Sequence, residues 1–408
     1  MINRNRSAVN GGVRSLAACD LAFMPRKTPL RVSVVGGGFA AAELLLALRA
    51  LAEDRVELEL IAPDTRLPFR MAATGEPFGA ATVQTFDLAE LARDVGATVR
   101  RATVEAVAAG ARRLRLASGG FTEYDALVVA VGARATAGVP GAAMFRDQRD
   151  SDRVRRLVDE VRSGHVRRIV YAAPTGVAWT LPLYELALLT AAADAVEVAV
   201  VTPEQRALEV FGAAVSDAVE SLLADRDVRL VRGVRPWRAT RRGLDLADGG
   251  SVAADRVVAI PRLVGRRLAG LPADWNGFIA TDAHGRVPGR PDVFAAGDVT
   301  AFRIKQGGIA TQQADVIAKV LAARAGARVD AGRPPLHVLR SRLLGADGPL
   351  YLRAVVDDEG RPLSSHDGAP AVSREAEWWP AAKLFGRYLT PWMAAAGCGT
   401  PGAARSAA

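Results

Sequence analysis

A strand that runs into a glycine turn and then a helix is the feature that most constrains this chain. Residues 30–35 are apolar on both faces and rich in β-branched side chains, as in a buried parallel strand. Gly36, Gly38 and Ala41 then match the G-x-G-x-x-G/A spacing, in which small residues allow a tight turn, close approach to a pyrophosphate and helix packing. The pattern predicts a dinucleotide-binding βαβ unit whose helix, from about Ala40, points its first N–H groups at the phosphate.

A second copy of this pattern follows in the stretch "IVYAAPTGVAWTLPLYELALL". The three glycine positions of the first copy correspond by spacing to Tyr171, Ala173 and Gly176 in the second. The later stretch "VEVAVVTPEQR" repeats the spacing of "VELELIAPDTR" in the first unit. Two units that share this detail favour tandem nucleotide-binding domains related by duplication.

Whether the second copy binds a nucleotide stays open at this level. Ala173 places a methyl group where the backbone would approach a phosphate, and Tyr171 is bulkier than the glycine it replaces. In favour of binding, Gly176 keeps a helix entry, while Glu204 is placed to bind a ribose and Arg206 a 2′-phosphate. Two alternatives therefore remain. In the slightly favoured one the second unit binds NAD(P)H, and in the other it binds no nucleotide and serves only as a structural scaffold.

Composition excludes several classes of protein. The 408 residues are 50% hydrophobic and 24% charged, which is ordinary for a globular protein of two or three domains. The net charge of +9 forms no basic stripe with interleaved aromatic residues, so a nucleic-acid partner is not expected. We find no secretory signal and no apolar run of ~18 residues, and we expect a cytoplasmic protein.

The distribution of cysteine and histidine argues against two kinds of chemistry. Cys19 and Cys398 lie at opposite ends of the chain, and no Cys-x-x-Cys pair exists. The four histidines are scattered without the spacing of a metal site. We therefore expect neither thiol–disulfide exchange nor a bound metal.

Three stretches in order, "VVGGGFAAAELL", "YDALVVAVGARA" and "RPDVFAAGDVTAF", resemble the FAD-dependent pyridine nucleotide-disulfide oxidoreductase superfamily. Within it, residues 30–325 look closest to sulfide:quinone oxidoreductases and type II NADH dehydrogenases, but without redox cysteines. The resemblance implies an α/β fold with two Rossmann-like domains, as in glutathione reductase. The FAD-binding domain would be discontinuous, and a small C-terminal region would follow.

The resemblance also implies domain boundaries. We expect a tail at 1–28 that is disordered or reflects a start site set too early, the FAD-binding domain at 29–140 and 263–328, an NAD(P)-binding-like domain at 141–262, a C-terminal capping or interface region at 329–394, and a flexible tail at 395–408.

The FAD-binding residues that the resemblance implies are Gly36, Gly38, Ala41, Asp64, Arg70, Val104, Gly132, Gly297 and Asp298. Asp64 would replace the usual ribose acid, because Ala62 occupies the place where that acid normally stands. Val104 would meet the adenine through its backbone, and Asp298 would bind a ribityl hydroxyl group.

Lys305 is the one candidate for a direct role in the chemistry. The resemblance places it, with the start of a helix near Gly308 or Ile309, at the N1–C2 edge of the flavin. A helix N-terminus and an ammonium group would stabilise negative charge on the reduced flavin there. The alternative is that Lys305 is a solvated loop lysine.

The C-terminal stretch mixes aromatic and basic residues: Trp378, Trp379, Phe385, Tyr388 and Trp392 surround Lys383 and Arg387. Such a mixture is typical of a membrane interface or of a cap over a flat aromatic ligand. In the quinone-reducing relatives this region forms the quinone pocket, and one interpretation is a similar pocket with peripheral contact at the inner face of the membrane. The other interpretation, slightly favoured, is a homodimer contact or a hydrophobic plug in the core.

The leading hypothesis is an FAD-dependent oxidoreductase that accepts a hydride from NAD(P)H at flavin N5 and passes electrons to a quinone or another small acceptor. The first alternative is a flavoprotein with an inactive NAD(P) site and a non-nucleotide donor. The second alternative is a non-catalytic flavin-binding interaction protein.

Overall fold

The computed structural model describes residues 28–177, 179–192, 196–345, 348–363, 368–379 and 382–396. The predicted tails, apart from residues 28, 395 and 396, lie outside these residues, as do Cys19 and Cys398.

The first unit is built around a parallel βαβ pair. Strand β1 (Leu30–Val35) leads through the glycine turn into helix α1 (Phe39–Ala52), and strand β2 (Val56–Ile61) returns parallel to β1. The inner residues of β1 are buried because helices cover one face of the sheet and an antiparallel meander the other. The elements that follow are β3 (Arg66–Pro68), β4 (Thr85–Asp87), α2 (Leu88–Asp94), β5 (Thr98–Arg100), β6 (Val104–Ala108), β7 (Arg113–Leu116), β8 (Phe121–Glu123), β9 (Ala126–Val129) and β10 (Ala133–Thr136).

The second unit has a five-stranded, wholly parallel sheet in the order β11-β18-β12-β13-β14. Helix α4 is apolar on nearly every side, since it is buried between this sheet and the C-terminal region. The elements are β11 (Ala143–Met144), α3 (Ser151–Arg162), β12 (Arg168–Ala172), α4 (Leu181–Ala191), β13 (Glu197–Val201), α5 (Ala213–Ala224), β14 (Arg229–Val231), β15 (Pro236–Thr240), β16 (Gly243–Leu246), β17 (Ser251–Ala253), β18 (Arg256–Ala259) and β19 (Arg262–Gly265).

The chain then returns to the first sheet. Strand β20 (Arg286–Val287) lies at its edge, and β21 (Arg290–Ala295) pairs parallel with β9, giving the order β20-β21-β9-β1-β2-β5. Helix α6 (Gly307–Arg324) packs along α1 and begins slightly earlier than predicted. Residues from two distant parts of the chain therefore share one sheet.

The C-terminal region contacts both units. Strands β22 (His337–Leu343), β23 (Leu350–Val356) and β24 (Val372–Ser373) form an antiparallel sheet that joins the core of the second unit. Helix α7 (Leu389–Ala395) instead joins the core around α1 and α6. The predicted α/β class is confirmed. Within the described part of the chain, every helix is too short or too polar to cross a bilayer.

Candidate functional site

The glycine turn after β1 is tight on one side and open on the other. The N–H group of Gly36 donates to the carbonyl oxygen of Ile61 at 2.9 Å. With φ at +120°, a Cβ atom at Gly36 would lie 2.2 Å from the oxygen of Ala130, so the position requires glycine. Gly38 precedes α1 without a side-chain cap, and no atom comes closer than 4.0 Å to where its Cβ would be. Ala41 is fully buried behind it. The uncapped helix end and the free space fit a pyrophosphate.

A second glycine turn, after β21, lies against the N-terminal ends of both α1 and α6. A Cβ atom on Gly297 would lie 3.4 Å from that of Ala40 and 3.3 Å from that of Ala310, which open α1 and α6 respectively. The N–H group of Gly297 donates to Oε1 of Gln313 at 2.8 Å, which fixes the turn against α6. The structure thus brings the two predicted FAD signatures together between two helix N-termini.

Asp298 follows this turn and is half-buried. Its carboxyl group accepts no hydrogen bond from any other described residue. Burial raises its pKa, and the positive charges of Lys305 and Arg70 act in the opposite direction. A carboxylate that is shielded from water without a hydrogen-bond donor is energetically unfavourable. The hydroxyl group of a ligand would supply such a donor.

Lys305 is buried and already has protein partners. Its Nζ donates to the carbonyl oxygen of Thr300 and lies 4.0 Å from the centre of the Phe278 ring. Burial lowers its pKa to about 8, against the raising effect of Asp298. Lys305 is therefore not the solvated loop lysine of the alternative interpretation, and its contact with a flavin stays a prediction.

The other predicted FAD-binding residues are more dispersed. Asp64 follows β2 at the same sheet edge but is exposed and paired with Arg66 at 3.1 Å, and Arg66 lowers its pKa. Gly132 follows β9, with no atom within 4 Å of a Cβ position. Val104 starts β6 and is buried, so only its main chain could meet a ligand, and Arg70 is exposed. Their contacts with FAD remain predictions.

The hydrogen bonds of the second unit correct the correspondence that the glycine spacing predicts. The N–H group of Ala173 donates to the oxygen of Val201 at 2.9 Å, as that of Gly36 does to Ile61. Ala173 is therefore the counterpart of the first glycine. Tyr171 lies inside β12, where its hydroxyl group is buried 2.5 Å from Oγ1 of Thr190.

The connection that follows Ala173 does not reproduce the first turn. Helix α1 starts directly after Gly38, whereas α4 starts at Leu181, well beyond Gly176. Gly176 has φ at +74° and open space around it, so it serves the bend of a longer loop. Pro182 lies in the first turn of α4, and proline has no N–H group to offer a phosphate.

Glu204 follows β13 at the carboxyl edge of the second sheet and is already hydrogen-bonded within the chain. It is buried and accepts hydrogen bonds from Oγ1 of Thr180 at 2.9 Å, the hydroxyl of Tyr184 at 2.8 Å and Oγ1 of Thr202 at 3.0 Å. Burial raises its pKa to about 7. Its counterpart Asp64 is exposed, so the two acids at equivalent positions have opposite surroundings.

Arg206, the predicted 2′-phosphate ligand, is also engaged. It is held by Glu220 at 2.8 Å and by Asp217 at 2.6 Å, and both acids raise its pKa. The two predicted side-chain contacts of the second unit, Glu204 and Arg206, are thus engaged by protein groups, whereas Gly176 has open space around it.

A buried ion pair joins the second unit to the C-terminal region. Nζ of Lys383 lies 2.6 Å from Oε1 of Glu185 on α4, and Thr74 of the first unit donates to the other oxygen at 2.6 Å. The N–H group of Leu344 donates to Glu185 at 2.9 Å. The sequence analysis missed Glu185, although an acid within the apolar run "LYELALL" indicates a buried carboxylate that needs a partner.

The C-terminal aromatic residues mostly face the protein. Trp378 is buried, and Trp392 packs on Phe86 with ring centres 6.0 Å apart and donates to Asp94. Trp379 is the exception, being 78% exposed. In the described part of the chain no His, Cys, Asp and Glu side chains group as a metal site would require.

Two units with the dinucleotide-binding fold, the first assembled from two distant segments of the chain, define a flavoprotein of the two-dinucleotide-binding-domain class. Residues 30–314 match the model of the pyridine nucleotide-disulphide oxidoreductases, and the chain belongs to this family. Members of the family are flavin-dependent oxidoreductases that bind FAD and NAD(P)H, so the chain is an oxidoreductase.

Individual relatives agree with this assignment. The chain is 28% identical over 300 residues, 67% of its length, to an NADH dehydrogenase-like protein of Mycobacterium tuberculosis, of which 74% is covered. Its fold is similar to the sulfide:quinone oxidoreductase of Aquifex aeolicus, with a TM-score of 0.71, 19% identity and coverage of 82% and 85% of the two chains. A ferredoxin reductase of Rhodopseudomonas palustris gives a TM-score of 0.62, 22% identity and coverage of 80% and 82%.

Proposed function

We propose that the protein is an FAD-dependent oxidoreductase that takes electrons from a small donor other than a pyridine nucleotide and passes them to a quinone or another small acceptor. The observation that carries this proposal is the contrast between the two crevices. The first has an uncapped helix, free space at Gly38 and an unpartnered Asp298. In the second, the carboxylate of Glu204 is buried and already accepts three hydrogen bonds from the chain.

Bound FAD supplies reversible two-electron chemistry at its N5 atom. The chain's own residues would hold the cofactor and set its electrostatics. The first turn of α1 would bind the pyrophosphate, and Asp298 would accept a hydrogen bond from a ribityl hydroxyl group. Lys305 would contribute positive charge next to the start of α6, which favours negative charge at the cofactor.

The C-terminal segment would keep water from this site. Cδ1 of Leu384 lies 3.0 Å from where a Cβ atom of Gly307, the first residue of α6, would stand. Glu43 on α1 accepts the N–H groups of Tyr388 and Leu389 at 2.8 and 2.7 Å. These contacts hold the segment across the ends of both helices, where an apolar cover excludes solvent from the chemistry.

NAD(P)H as the donor is the second candidate function. The M. tuberculosis relative, which is described as NADH dehydrogenase-like, favours it, as does the parallel sheet of the second unit. Binding would then require the loop after Ala173 to move and the Glu204 network to open.

An anaerobic titration followed by visible absorption distinguishes the two candidates. The purified protein is titrated with NADH, then NADPH, then dithionite. We expect a flavin spectrum that neither nucleotide bleaches within minutes and that dithionite bleaches fully. Bleaching by a nucleotide within seconds would establish the second candidate, and a protein that purifies colourless and binds no added FAD would overturn both.

A further inference from the structure

Two carboxyl groups meet beneath the C-terminal segment, where it crosses α1 and α6. Glu43 on α1 is fully buried, and Asp315 on α6 is hydrogen-bonded to it. In the described part of the chain, no N–H or hydroxyl group donates to the buried Oδ1 atom of Asp315. Two carboxyl groups form a hydrogen bond with each other only if one of them keeps its proton. One proton is therefore held between the two helices.

The main chain of the C-terminal segment decides which carboxyl group carries this proton. The N–H group of Tyr388 donates to Oε1 of Glu43 at 2.8 Å, and the N–H group of Leu389 donates to Oε2 at 2.7 Å. Both oxygens of Glu43 act as acceptors, which favours its ionised form. The proton therefore belongs to Asp315, which donates it to Glu43.

The C-terminal segment passes very close to Glu43. A Cβ atom on Gly386 would lie 2.6 Å from Oε2 of Glu43, so any side chain at this position would displace the carboxylate. Oγ1 of Thr311 on α6 also donates to the carbonyl oxygen of Phe385, at 2.8 Å. Residues 384–389, which we call the cover, are thus attached to the two helices through their main chain, with Glu43 as the central acceptor.

The other charged groups near the pair do not replace the proton. Burial and the negative charge of Glu43 raise the pKa of Asp315 from 3.8 to about 8. The positive charges of Arg387 and Lys319 act in the opposite direction without restoring the ordinary value. Burial also raises the pKa of the Tyr388 phenol, which stays neutral over this range. Asp315 therefore keeps its proton in neutral solution.

We propose that Asp315 is a positioning residue whose proton fastens the cover to Glu43, so that the cover opens more easily as the pH rises. Opening admits water to both carboxyl groups. The open state then releases the proton near the ordinary pKa of 3.8, whereas the closed state holds it up to a pKa of about 8. Between these two values the closed state loses stability with rising pH, and above the higher value the loss is complete. The proposal rests on the proposed function only for what the cover protects.

The test is amide hydrogen exchange of the FAD-bound protein, followed by mass spectrometry of peptides that contain Tyr388 and Leu389. Exchange rates are divided by the intrinsic rates at each pH between about pH 5 and 9. We expect the protection of these amides to fall by up to about tenfold per pH unit until about pH 8 and then to level off.

Three variants separate the proton from the packing around it. Asp315→Asn keeps a donor to Glu43 but cannot lose a proton, so most of the pH dependence should disappear while protection stays high. Asp315→Leu removes the donor, and its cover should be less protected than that of Asp315→Asn at every pH. Asp94→Asn is the matched control and should keep the pH dependence, because Asp94 accepts the indole N–H of Trp392 at the end of the same segment, away from the pair.

Protection that does not change with pH in the unaltered protein would overturn the proposal, and so would an unchanged pH dependence in Asp315→Asn. The first of these measurements needs no variant, so it decides the matter even where a substitution prevents folding. Neither result concerns the electron donor or acceptor, which the titration with NADH, NADPH and dithionite tests separately.

Discussion

The two sheet units have the same main-chain frame at the end of their first strand but differ in what fills the crevice above it. In the first unit, glycine turns leave space and the aligned acid, Asp64, points to solvent. In the second unit, a longer loop and the hydroxyl groups of α4 enclose Glu204. The comparison teaches that two units can share a main-chain hydrogen-bond frame while the polar groups above it are free in one unit and engaged by the chain in the other.

The largest effect is expected from a substitution that fills the crevice of the first unit. Gly38→Val would put a side chain into free space where no protein atom lies within 4.0 Å, so the fold should persist while the phosphate loses its place. We expect FAD affinity to fall at least about 100-fold in a fluorescence titration of the apoprotein.

Thr175→Val is the matched control in the second unit, because Thr175 is exposed and stands two residues after Ala173, as Gly38 stands two residues after Gly36. It should leave FAD affinity unchanged. If both variants lose FAD equally, the contrast between the units does not hold.

The next largest effect is expected at the buried ion pair between Lys383 of the C-terminal region and Glu185 of the second unit. Lys383→Met leaves Glu185 buried without its counter-charge, and we expect a loss of about 3–5 kcal/mol in the free energy of unfolding, measured by urea denaturation. Adding Glu185→Leu should recover part of this loss, because the unpaired charge is removed. A single variant as stable as the unaltered protein would show that the pair carries no net stability.

Burial of Glu204 makes the stability of the second unit depend on pH in a way that its exposed counterpart Asp64 does not. Its pKa is raised from 4.5 to about 7 in the folded protein, so the folded state binds the proton more tightly than the unfolded state. The stability contribution is therefore present below pH 4.5 and is lost as the pH rises to about 7, by up to about 3 kcal/mol.

Glu204→Gln should reduce the pH dependence of stability by this contribution, measured as urea midpoints between pH 5 and 8, while Asp315, whose pKa is raised to about 8, keeps its own. The Asp64→Asn variant is the control and should leave the slope in place. Identical pH profiles for Glu204→Gln and the unaltered protein would contradict the assignment.

The smallest effect is expected at the exposed pair of the first unit. Arg66→Ala frees Asp64 at the protein surface, and surface pairs contribute little. We expect no measurable change in thermal stability and at most a modest change in FAD affinity. A large loss of stability would mean that Asp64 and Arg66 have a structural role comparable to that of the Glu204 network.

Much of the first crevice could be predicted from sequence because its determinants are local. The turn at Gly36 and the helix that follows depend on residues within one βαβ unit. Gly297 and Asp298 could be predicted only through a resemblance, since their meeting with Ala40 depends on β21 pairing with β9. The glycine alignment of the second copy was wrong by two residues because register depends on a distant strand.

The sequence by itself determined the two βαβ units, the FAD-type glycine turns and the α/β class, because strand and helix periods and glycine positions act over short distances. Only the tertiary structure decided that Glu204 is enclosed by Thr180 and Tyr184, and that Lys383 meets Glu185 across 198 residues. The physical reason is burial. Whether a carboxylate is free for a ligand or saturated by the chain depends on which distant donors the fold packs around it.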